Sequence, residues 1–246
     1  MATLITLLTD FGAADSYVAE VKGVLLSQVH GVVLVDITHE VSPGDVRAAQ
    51  YVLSRVWHRF PQGSVHLAIV DPGVGTARVL AASIGGHFFV APDNGLLSFL
   101  PLDAHFVALP IPEGAAPTFQ GRDVFAPVAG QLALGASLSH VGQPVIDAYR
   151  SPLPAPRHDG TAVIGEVIYV DRFGTLISNI PGQAVEPGVR IRVEGTEIGT
   201  LARTFGDVGR GALLAVVGSG GMVEIAVRDG SAARLLGVGV GAEVRA

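Results

Sequence analysis

Three aspartates follow apolar segments in the first third of the chain, and each could take part in acid–base or binding chemistry. Asp10 follows LITLLT, Asp36 ends GVVLVD, and Asp71 follows HLAIV. A carboxylate can accept a proton, hold a hydroxyl group or bind a metal ion. Asp71 opens the loop DPGVGTAR, so Arg78 lies close to it in sequence. We interpret this acid and this guanidinium either as a pair directed at one ligand atom or as a salt bridge that braces a tight turn.

The segments that carry these residues alternate between strand and helix patterns. Strand patterns are LITLLTDFG, GVVLVDITH and GSVHLAIVDPG, and helical spacing of apolar residues occurs in SYVAEVKGVLLSQV and SPGDVRAAQYVLSRVWHRF. GGHFFVAPDNG predicts a further strand, and GRDVFAPVAGQLALG predicts a helix that ends at Gly135. This alternation favours an α/β domain with a mostly parallel sheet. Because ligands of such sheets bind outside the carboxyl ends of the strands, the aspartates lie where a site is expected.

The pattern changes after YRSPLPAPRHDGT, residues 149–161, which mixes proline, glycine, serine and charge as linkers do. Short β-rich runs separated by turns follow, among them AVIGEVIYVD, GVRIRVEG, LLAVVG and MVEIAVRDG. Such runs are typical of a small barrel or sandwich. We predict an N-terminal α/β domain over residues 1–155 and a smaller C-terminal β-barrel or sandwich domain over residues 156–246.

Composition argues against several classes of function. The 246 residues include 22 acidic and 16 basic ones, for a net charge of -6, and no Lys/Arg cluster, so we expect no nucleic-acid partner. No cysteine occurs, which excludes disulfides and thiolate chemistry and fits a reducing cytoplasm. We find no signal-peptide pattern and no apolar run long enough to span a membrane, so we expect a cytoplasmic protein without a membrane partner. The low share of charged residues, 15%, favours oligomerisation.

Other motifs offer alternatives of different weight. GVGT lacks the GK[ST] ending of a P-loop, the DFG at Asp10 lacks the other motifs of a protein kinase, and no GxSxG elbow is present. A metal site stays open, because oxygen and imidazole ligands could gather in one cleft from Asp10, Asp15, Asp36, His39 and Asp45. Aspartates at strand ends also cap helices and close turns, so the residues alone do not decide this point.

Six blocks of the sequence together resemble a known family. The blocks are TDFGAADSYVAEVKGVL, VDITHEVSPGDVRAAQYVL, FPQGSVHLAIVDPGVGTAR, FVAPDNGLLS, TFQGRDVFAPVA and DRFGTLISNI. In this order they are similar to blocks of the S-adenosyl-L-methionine hydroxide adenosyltransferases, the hydrolytic relatives of fluorinase and chlorinase. The resemblance covers nearly the whole chain and thins at residues 100–117 and 181–210. It implies that water attacks ribose C5′ of S-adenosyl-L-methionine and releases adenosine and L-methionine, without a metal or redox cofactor, in a homotrimer.

The resemblance also implies roles for individual residues. A sulfonium is already a good leaving group and needs no acid, so the difficulty lies in the weak nucleophile, water. Asp71 and Arg78 would hold and activate this water. Gln120 stands where the family has histidine, as the third member of this set; glutamine can form hydrogen bonds with water but cannot take its proton. The implied substrate contacts are Asp10 for the ribose hydroxyls, Asp171 for the methionine ammonium, Ser219 for its carboxylate, and Phe173, Phe205 and Thr175 for adenine, Thr175 replacing the usual asparagine.

Two asparagines and two further functions complete the expectations. Asn94 of PDNG is interpreted as a turn residue, and Asn179 could serve either the fold or the ligand. Because Gln120 replaces the family histidine, the chain could instead be a protein that binds S-adenosyl-L-methionine or adenosine with weak or lost turnover. A halide-using adenosyltransferase is disfavoured, because halogenating relatives replace the acid and the arginine that this chain keeps.

Overall fold

The computed structural model describes residues 3–246, and the chain divides into two compact units between Pro152 and Leu153. This division falls within the proline-rich segment 149–161. Within residues 3–246, no helix combines the length and the apolar character that crossing a membrane requires.

The first unit contains a seven-stranded sheet with helices packed on both faces. Its strands are β1 (Leu4–Thr9), β2 (Val33–Thr38), β3 (Val65–Ile69), β4 (Val79–Ile84), β5 (His87–Pro92), β6 (His105–Ala108) and β7 (Gln143–Val145). Its helices are α1 (Tyr17–Gln28), α2 (Val46–Val56), α3 (Ala126–Ala133) and α4 (Leu138–Val141), with a 3₁₀ turn at Trp57–Arg59 and a π-helical turn at Gly121–Phe125.

The strand order in this sheet is β2-β1-β3-β5-β4-β6-β7. The first four strands of that order are parallel to their neighbours, and the pairings from β5 through β4 and β6 to β7 are antiparallel. The α/β prediction is therefore confirmed, with an antiparallel extension at one side of the parallel strands. Because helices cover both faces, all five residues of β3 are buried, and four of them are apolar while the fifth is His66.

The second unit is a closed seven-stranded barrel with one extra strand. Its elements are β8 (Arg157–Asp159), β9 (Ala162–Val170), β10 (Leu176–Pro181), β11 (Arg190–Val193), β12 (Thr196–Ala202), β13 (Leu213–Val217), β14 (Met222–Val227), α5 (Ala232–Leu236) and β15 (Glu243–Arg245), with 3₁₀ turns at Gly182–Ala184 and Phe205–Asp207. The order β10-β14-β13-β12-β11-β15-β9 is closed by pairing of β9 with β10. Ile164 of β9 is in register with Arg157 of β8 and with Arg245 of β15. The predicted β-rich unit is thus confirmed as a barrel.

Candidate active site

Asp10 and Asp71 leave the sheet at the same edge. Strands β1 and β3 are parallel neighbours in which Thr9 is in register with Ile69, so the residues that follow them emerge side by side. Asp10 accepts a hydrogen bond from the Gly44 N–H to its Oδ2 at 2.8 Å. Asp71 accepts one from the Gly73 N–H to its Oδ1 at 3.0 Å. Asp10, expected to bind the ribose hydroxyls, and Asp71, expected to bind the attacking water, therefore lie at the same edge of the sheet in the first unit.

The Asp71 carboxyl group is half-buried, and burial raises its pKa. The Gly73 N–H partly offsets this effect, while the negative charge of Asp10 raises the pKa further. A carboxylate with a raised pKa is a stronger base than an ordinary aspartate, so it accepts a proton from water more readily. Asp71 is therefore suited to the role of general base.

Glycine shapes the loop that Asp71 opens. Gly75 has a φ of +84°, and a Cβ at this residue would lie 3.0 Å from the Pro117 carbonyl oxygen. Thr76 closes the turn by donating from its hydroxyl to the Gly73 carbonyl at 2.7 Å. A side chain at position 75 would need both a strained backbone and a shift of the Pro117 segment. The loop thus packs closely against the chain that leads to Gln120.

Arg78 contacts Asp93 and Asp147, which corrects the expected contact with Asp71. Its Nε donates to Asp93 Oδ2 at 2.9 Å, and its Nη1 and Nη2 donate to the Oδ1 and the carbonyl oxygen of Asp147 at 2.9 and 3.0 Å. The hydrogen bonds to Asp147 and Asp93 raise the pKa of Arg78, and Arg78 lowers the pKa of Asp147. Within residues 3–246, the ionic partners of Arg78 are therefore Asp93 and Asp147, and Asp71 is not among them.

Asn94 holds the end of the strand that leads to Asp71. Its Nδ2 donates to the Val70 carbonyl oxygen at 2.8 Å, and its Oδ1 accepts from the Leu96 N–H at 3.2 Å. Asp93, its neighbour, donates its N–H to the Arg78 carbonyl oxygen at 2.8 Å. Asn94 is therefore a turn residue, as predicted, and it also fixes the residue directly before Asp71.

Gln120 is buried just before the π-helical turn, with 5% of its surface exposed. Its Oε1 has no hydrogen-bond partner within residues 3–246. A Cβ on the adjacent Gly121 would lie 3.4 Å from Ile69 and 3.5 Å from Phe11, which places this segment beside the ends of β3 and β1. A buried acceptor without a donor costs about 1–3 kcal/mol. This oxygen therefore suits a ligand or a water that donates a hydrogen bond.

An ionic network that sequence reasoning missed fixes the same segment. Arg122 donates from Nε and Nη2 to the two carboxylate oxygens of Asp123 at 2.6 and 2.9 Å, and from Nη1 to Glu20 at 2.9 Å. The hydrogen bond from Arg122 lowers the pKa of Asp123 to about 2. Asp123 also accepts from the Ala116 N–H at 2.8 Å, so the network ties both sides of Gln120 together. The adjacent opposite charges in GRD were the available sequence signal.

Asp36 and Asp45, two of the aspartates considered for a metal site, have other partners. Lys22 lies 2.6 Å from Asp36 Oδ2, and His39 lies 3.1 Å from its Oδ1. Asp45 caps α2 by accepting from the Ala48 N–H at 2.9 Å. Within residues 3–246, no group of three or more histidine, aspartate or glutamate side chains is arranged to hold a metal ion. The metal-site alternative therefore has no ligand set in this part of the chain.

A cavity of about 710 Å³ in the second unit brings four predicted binding residues together. The four are Asp171, Phe173, Thr175 and Phe205. The exposed fractions of the two phenylalanines are 77% and 48%, which leaves ring surface open for a flat ligand to stack on. Ser219 lies in the turn between β13 and β14, outside the set of residues that lines the cavity.

Asp171 shapes the turn that presents Phe173. Its Oδ1 accepts from the N–H groups of Phe173 and Thr175 at 2.9 and 2.8 Å. Gly174 has a φ of +81°, and a Cβ there would overlap the side chain of Ser231. The turn between β9 and β10 is therefore fixed by one carboxylate and one glycine.

Arg228 anchors the turn that carries Phe205, a contact that sequence reasoning missed. Its Nη1 donates to the Val208 carbonyl oxygen at 2.7 Å. From within the turn, Asp207 Oδ2 accepts from the N–H groups of Arg203 and Thr204 at 2.9 and 3.1 Å. Arg228 also lines the cavity, so the residue that anchors this turn belongs to the same site as Phe205.

Asn179 has a structural role, and the alternative that it binds ligand is not favoured. It is buried, its Oδ1 accepts from the Glu166 N–H at 2.8 Å, and its Nδ2 donates to the Pro154 carbonyl oxygen at 2.8 Å. It lies outside the set of residues that lines the cavity.

Comparison with known proteins gives consistent matches over both units. The chain matches the family model of the SAM hydroxide adenosyltransferase N-terminal domain over residues 5–142 and that of the C-terminal domain over residues 165–245. It is 41% identical over 252 residues to the (R)-S-adenosyl-L-methionine hydrolase of Thermus thermophilus, with 97% of each chain covered. It is 42% identical over 253 residues to the protein of the same name from Salinispora tropica, with 98% of this chain and 96% of that one covered.

More distant and structural matches agree with these. The fluorinase of Nocardia brasiliensis is 30% identical over 272 residues, with 91% of this chain and 89% of that one covered. The crystal structure of a conserved protein from Thermotoga maritima matches with a TM-score of 0.91 and 37% identity over 98% of both chains. The chain therefore belongs to the SAM hydroxide adenosyltransferase family.

Proposed function

We propose that this chain hydrolyses S-adenosyl-L-methionine to adenosine and L-methionine, and that it uses the R epimer at sulfur that its relatives' names specify. The observation that carries this proposal is Asp71, a half-buried carboxylate with a raised pKa at the carboxyl end of β3. The identity to named hydrolases, 41% and 42%, exceeds the 30% to the fluorinase, which favours water over halide as the nucleophile.

In the proposed reaction, water attacks ribose C5′ in line with the bond from C5′ to sulfur. The C–S bond breaks, its electron pair stays on sulfur, and methionine leaves as a neutral thioether. Asp71 orients the water and takes its proton as the new C–O bond forms, which are positioning and general-base effects. Gln120 accepts a second hydrogen bond from the water at its Oε1, which has no other donor within residues 3–246. The substitution at C5′ transfers no electrons to or from another molecule, so it needs no redox cofactor.

The proposed binding contacts use both carboxylates and aromatic rings. Asp10 binds the ribose hydroxyls through its two oxygens. Phe173 and Phe205 hold adenine in the cavity of the second unit, beside the hydroxyl of Thr175. Asp171 binds the methionine ammonium and Ser219 the carboxylate. The resemblance supports these last two roles, as it supports a homotrimer, which light scattering of the purified protein would test. The cysteine-free sequence supports a cytoplasmic location.

The experiment is to incubate the purified protein with the R and S epimers separately and to follow adenosine and methionine by chromatography. We expect equal amounts of both products from the R epimer, with heavy oxygen from labelled water in the 5′-hydroxyl group. A 5′-halogenated product formed in chloride or fluoride buffer would indicate halide transfer instead. Binding of substrate without any release of adenosine would identify an adenosyl-binding protein and overturn the proposed hydrolysis.

A further inference from the structure

The turn directly after β5, formed by Asp93 and Asn94, contacts the chain on both sides of the loop Asp71–Ala77. Asn94 donates from Nδ2 to the carbonyl oxygen of Val70, and Asp93 donates its N–H to the carbonyl oxygen of Arg78, both at 2.8 Å. Strand β5 is the parallel neighbour of β3, so the turn and the loop leave the sheet at the same edge. One turn therefore holds the two ends of the loop together.

The side chain of Arg78 reinforces this closure. Its Nε contacts Asp93 Oδ2, and the other oxygen of Asp93 accepts from the Tyr149 N–H at 2.7 Å. The Asp93 side chain is only 5% exposed, so its charge is compensated by the guanidinium at close range. Asp147 holds the far side of the guanidinium from an exposed position. The ion pair is thus built at the ends of the loop and not at the Asp71 carboxylate.

The loop itself has few internal restraints. It contains Gly73 and Gly75, and the hydrogen bonds within it all involve Gly73, whose N–H donates to Asp71 Oδ1 and whose carbonyl oxygen accepts from Thr76 and Ala77. Glycine loses more conformational entropy on ordering than any other residue, so a glycine-rich loop depends on its anchors for a fixed shape. The direction of the Asp71 carboxylate therefore depends on the residues that hold the two ends.

We propose that Asn94, Asp93 and Arg78 are positioning residues for Asp71, because together they hold the two ends of the loop that Asp71 opens. This inference rests on the proposed function, because turnover is its readout. A carboxylate that is displaced by a fraction of an ångström misaligns the water while the substrate still binds. Loss of an anchor should therefore lower kcat and leave KM nearly unchanged.

The sharpest test is Asn94→Asp, which keeps the size of the side chain and the acceptor for the Leu96 N–H but removes the donor to Val70. We expect kcat to fall by about tenfold or more and KM to change by less than about threefold. The matched control is Asn179→Asp, since Asn179 is also buried, accepts from an N–H and donates to a carbonyl oxygen. This control should lose thermal stability to a similar degree and keep its kcat.

A second readout separates positioning from general destabilisation. In an Asp71→Asn background there is no base left to orient, so Asn94→Asp should lower the residual rate by less than about twofold. If the two losses simply multiply, Asn94 does not act through Asp71 and the inference is wrong.

Asp147→Ala covers the case in which Asn94→Asp does not fold, because the Asp147 side chain is 72% exposed. It frees one side of the Arg78 guanidinium, and we expect kcat to fall by about two- to fivefold at constant KM. Wild-type kcat in folded Asn94→Asp, or in Asp147→Ala where Asn94→Asp does not fold, would overturn this inference and leave hydrolysis intact. A wild-type protein that forms no adenosine would instead overturn the proposed function.

Discussion

Arg78 lies against Asp93, with its Nε 2.9 Å from Oδ2 of that carboxylate, although Asp71 is nearer to Arg78 in sequence. The guanidinium therefore compensates a nearly buried acid at the end of the loop and does not hold Asp71 in its ionised form. Asp71 is left with a raised pKa, which makes it a better proton acceptor. Because Asp71 and Arg78 do not form an ion pair with each other, substitutions of Asp71 and of Arg78 should have different effects.

Replacing Asp71 by asparagine should remove turnover and spare binding. Asparagine keeps an acceptor for the Gly73 N–H but cannot take a proton from water. We expect kcat to fall by about 10²–10⁴-fold, the usual contribution of a general base. Calorimetric titration with substrate should give a Kd within about threefold of wild type. A variant that no longer binds substrate would show that Asp71 is a binding residue instead.

The same substitution should stabilise the protein at neutral pH. The folded-state pKa of Asp71 is raised above its unfolded value, so the ionised form opposes folding at any pH above that raised pKa. The amide of the Asp71→Asn variant carries no charge, and we expect a gain of about 1 kcal/mol, or a Tm higher by about 2–4 °C, near pH 7. The gain should shrink as the pH falls through the raised pKa. Scanning calorimetry at several pH values tests this, and a constant difference between the proteins would contradict it.

Gln120→Met should exchange activity for stability. Methionine has a similar length and lacks the buried acceptor that has no partner within residues 3–246. Removing such an acceptor should raise the free energy of unfolding by about 1 kcal/mol, and losing the second hydrogen bond to water should lower kcat by about tenfold. Urea unfolding and the adenosine assay measure the two effects. Gln120→His, by contrast, should raise kcat, and unchanged kcat in both variants would remove Gln120 from the reaction.

Phe205→Ala should weaken substrate binding while the fold stays stable. The ring is 48% exposed, so little packing is lost, but stacking on a base contributes about 1–3 kcal/mol. We therefore expect KM to rise by about tenfold with a small change in Tm. Leu102→Ala removes a side chain that is 93% exposed in the first unit and serves as the control with unchanged KM. Equal KM values in the two variants would show that the ring of Phe205 does not hold adenine.

His66 should make the protein sensitive to acid. It is fully buried, with Nδ1 2.9 Å from the Thr6 hydroxyl and Nε2 3.2 Å from His87 Nδ1, and burial lowers its pKa to about 3. Because the unfolded histidine gains a proton near its ordinary pKa while the folded one stays neutral, stability falls from about pH 6.5 towards pH 3. The loss is about 1.4 kcal/mol per pH unit.

His66→Gln keeps a hydrogen-bonding side chain that does not titrate. Its urea-unfolding free energies at pH 7, 6 and 5 should show a shallower slope than those of wild type. Parallel slopes for the two proteins would place the acid sensitivity at other groups.

The sequence predicted those parts of the site that depend on neighbours along the chain. Asp171, Phe173 and Thr175 lie in one turn within DRFGT, so their grouping is local, and Asp10 and Asp71 each follow an apolar strand, so their places at strand ends are also visible in the sequence. The partners of Arg78 could not be predicted, because Asp93 and Asp147 are 15 and 69 positions away and are brought to it by the sheet. The antiparallel strands β6 and β7 were missed because four and three residues show no clear alternation.

The register of Ile164, which pairs with Arg157 on one side and with Arg245 on the other, has a practical consequence for protein engineering. Two strand spacings separate those partners, a gap of about 10 Å that a linker of about four residues can bridge. The barrel is therefore a natural candidate for circular permutation. New termini could be opened at Gly195, in the exposed hairpin turn between β11 and β12, without breaking any strand.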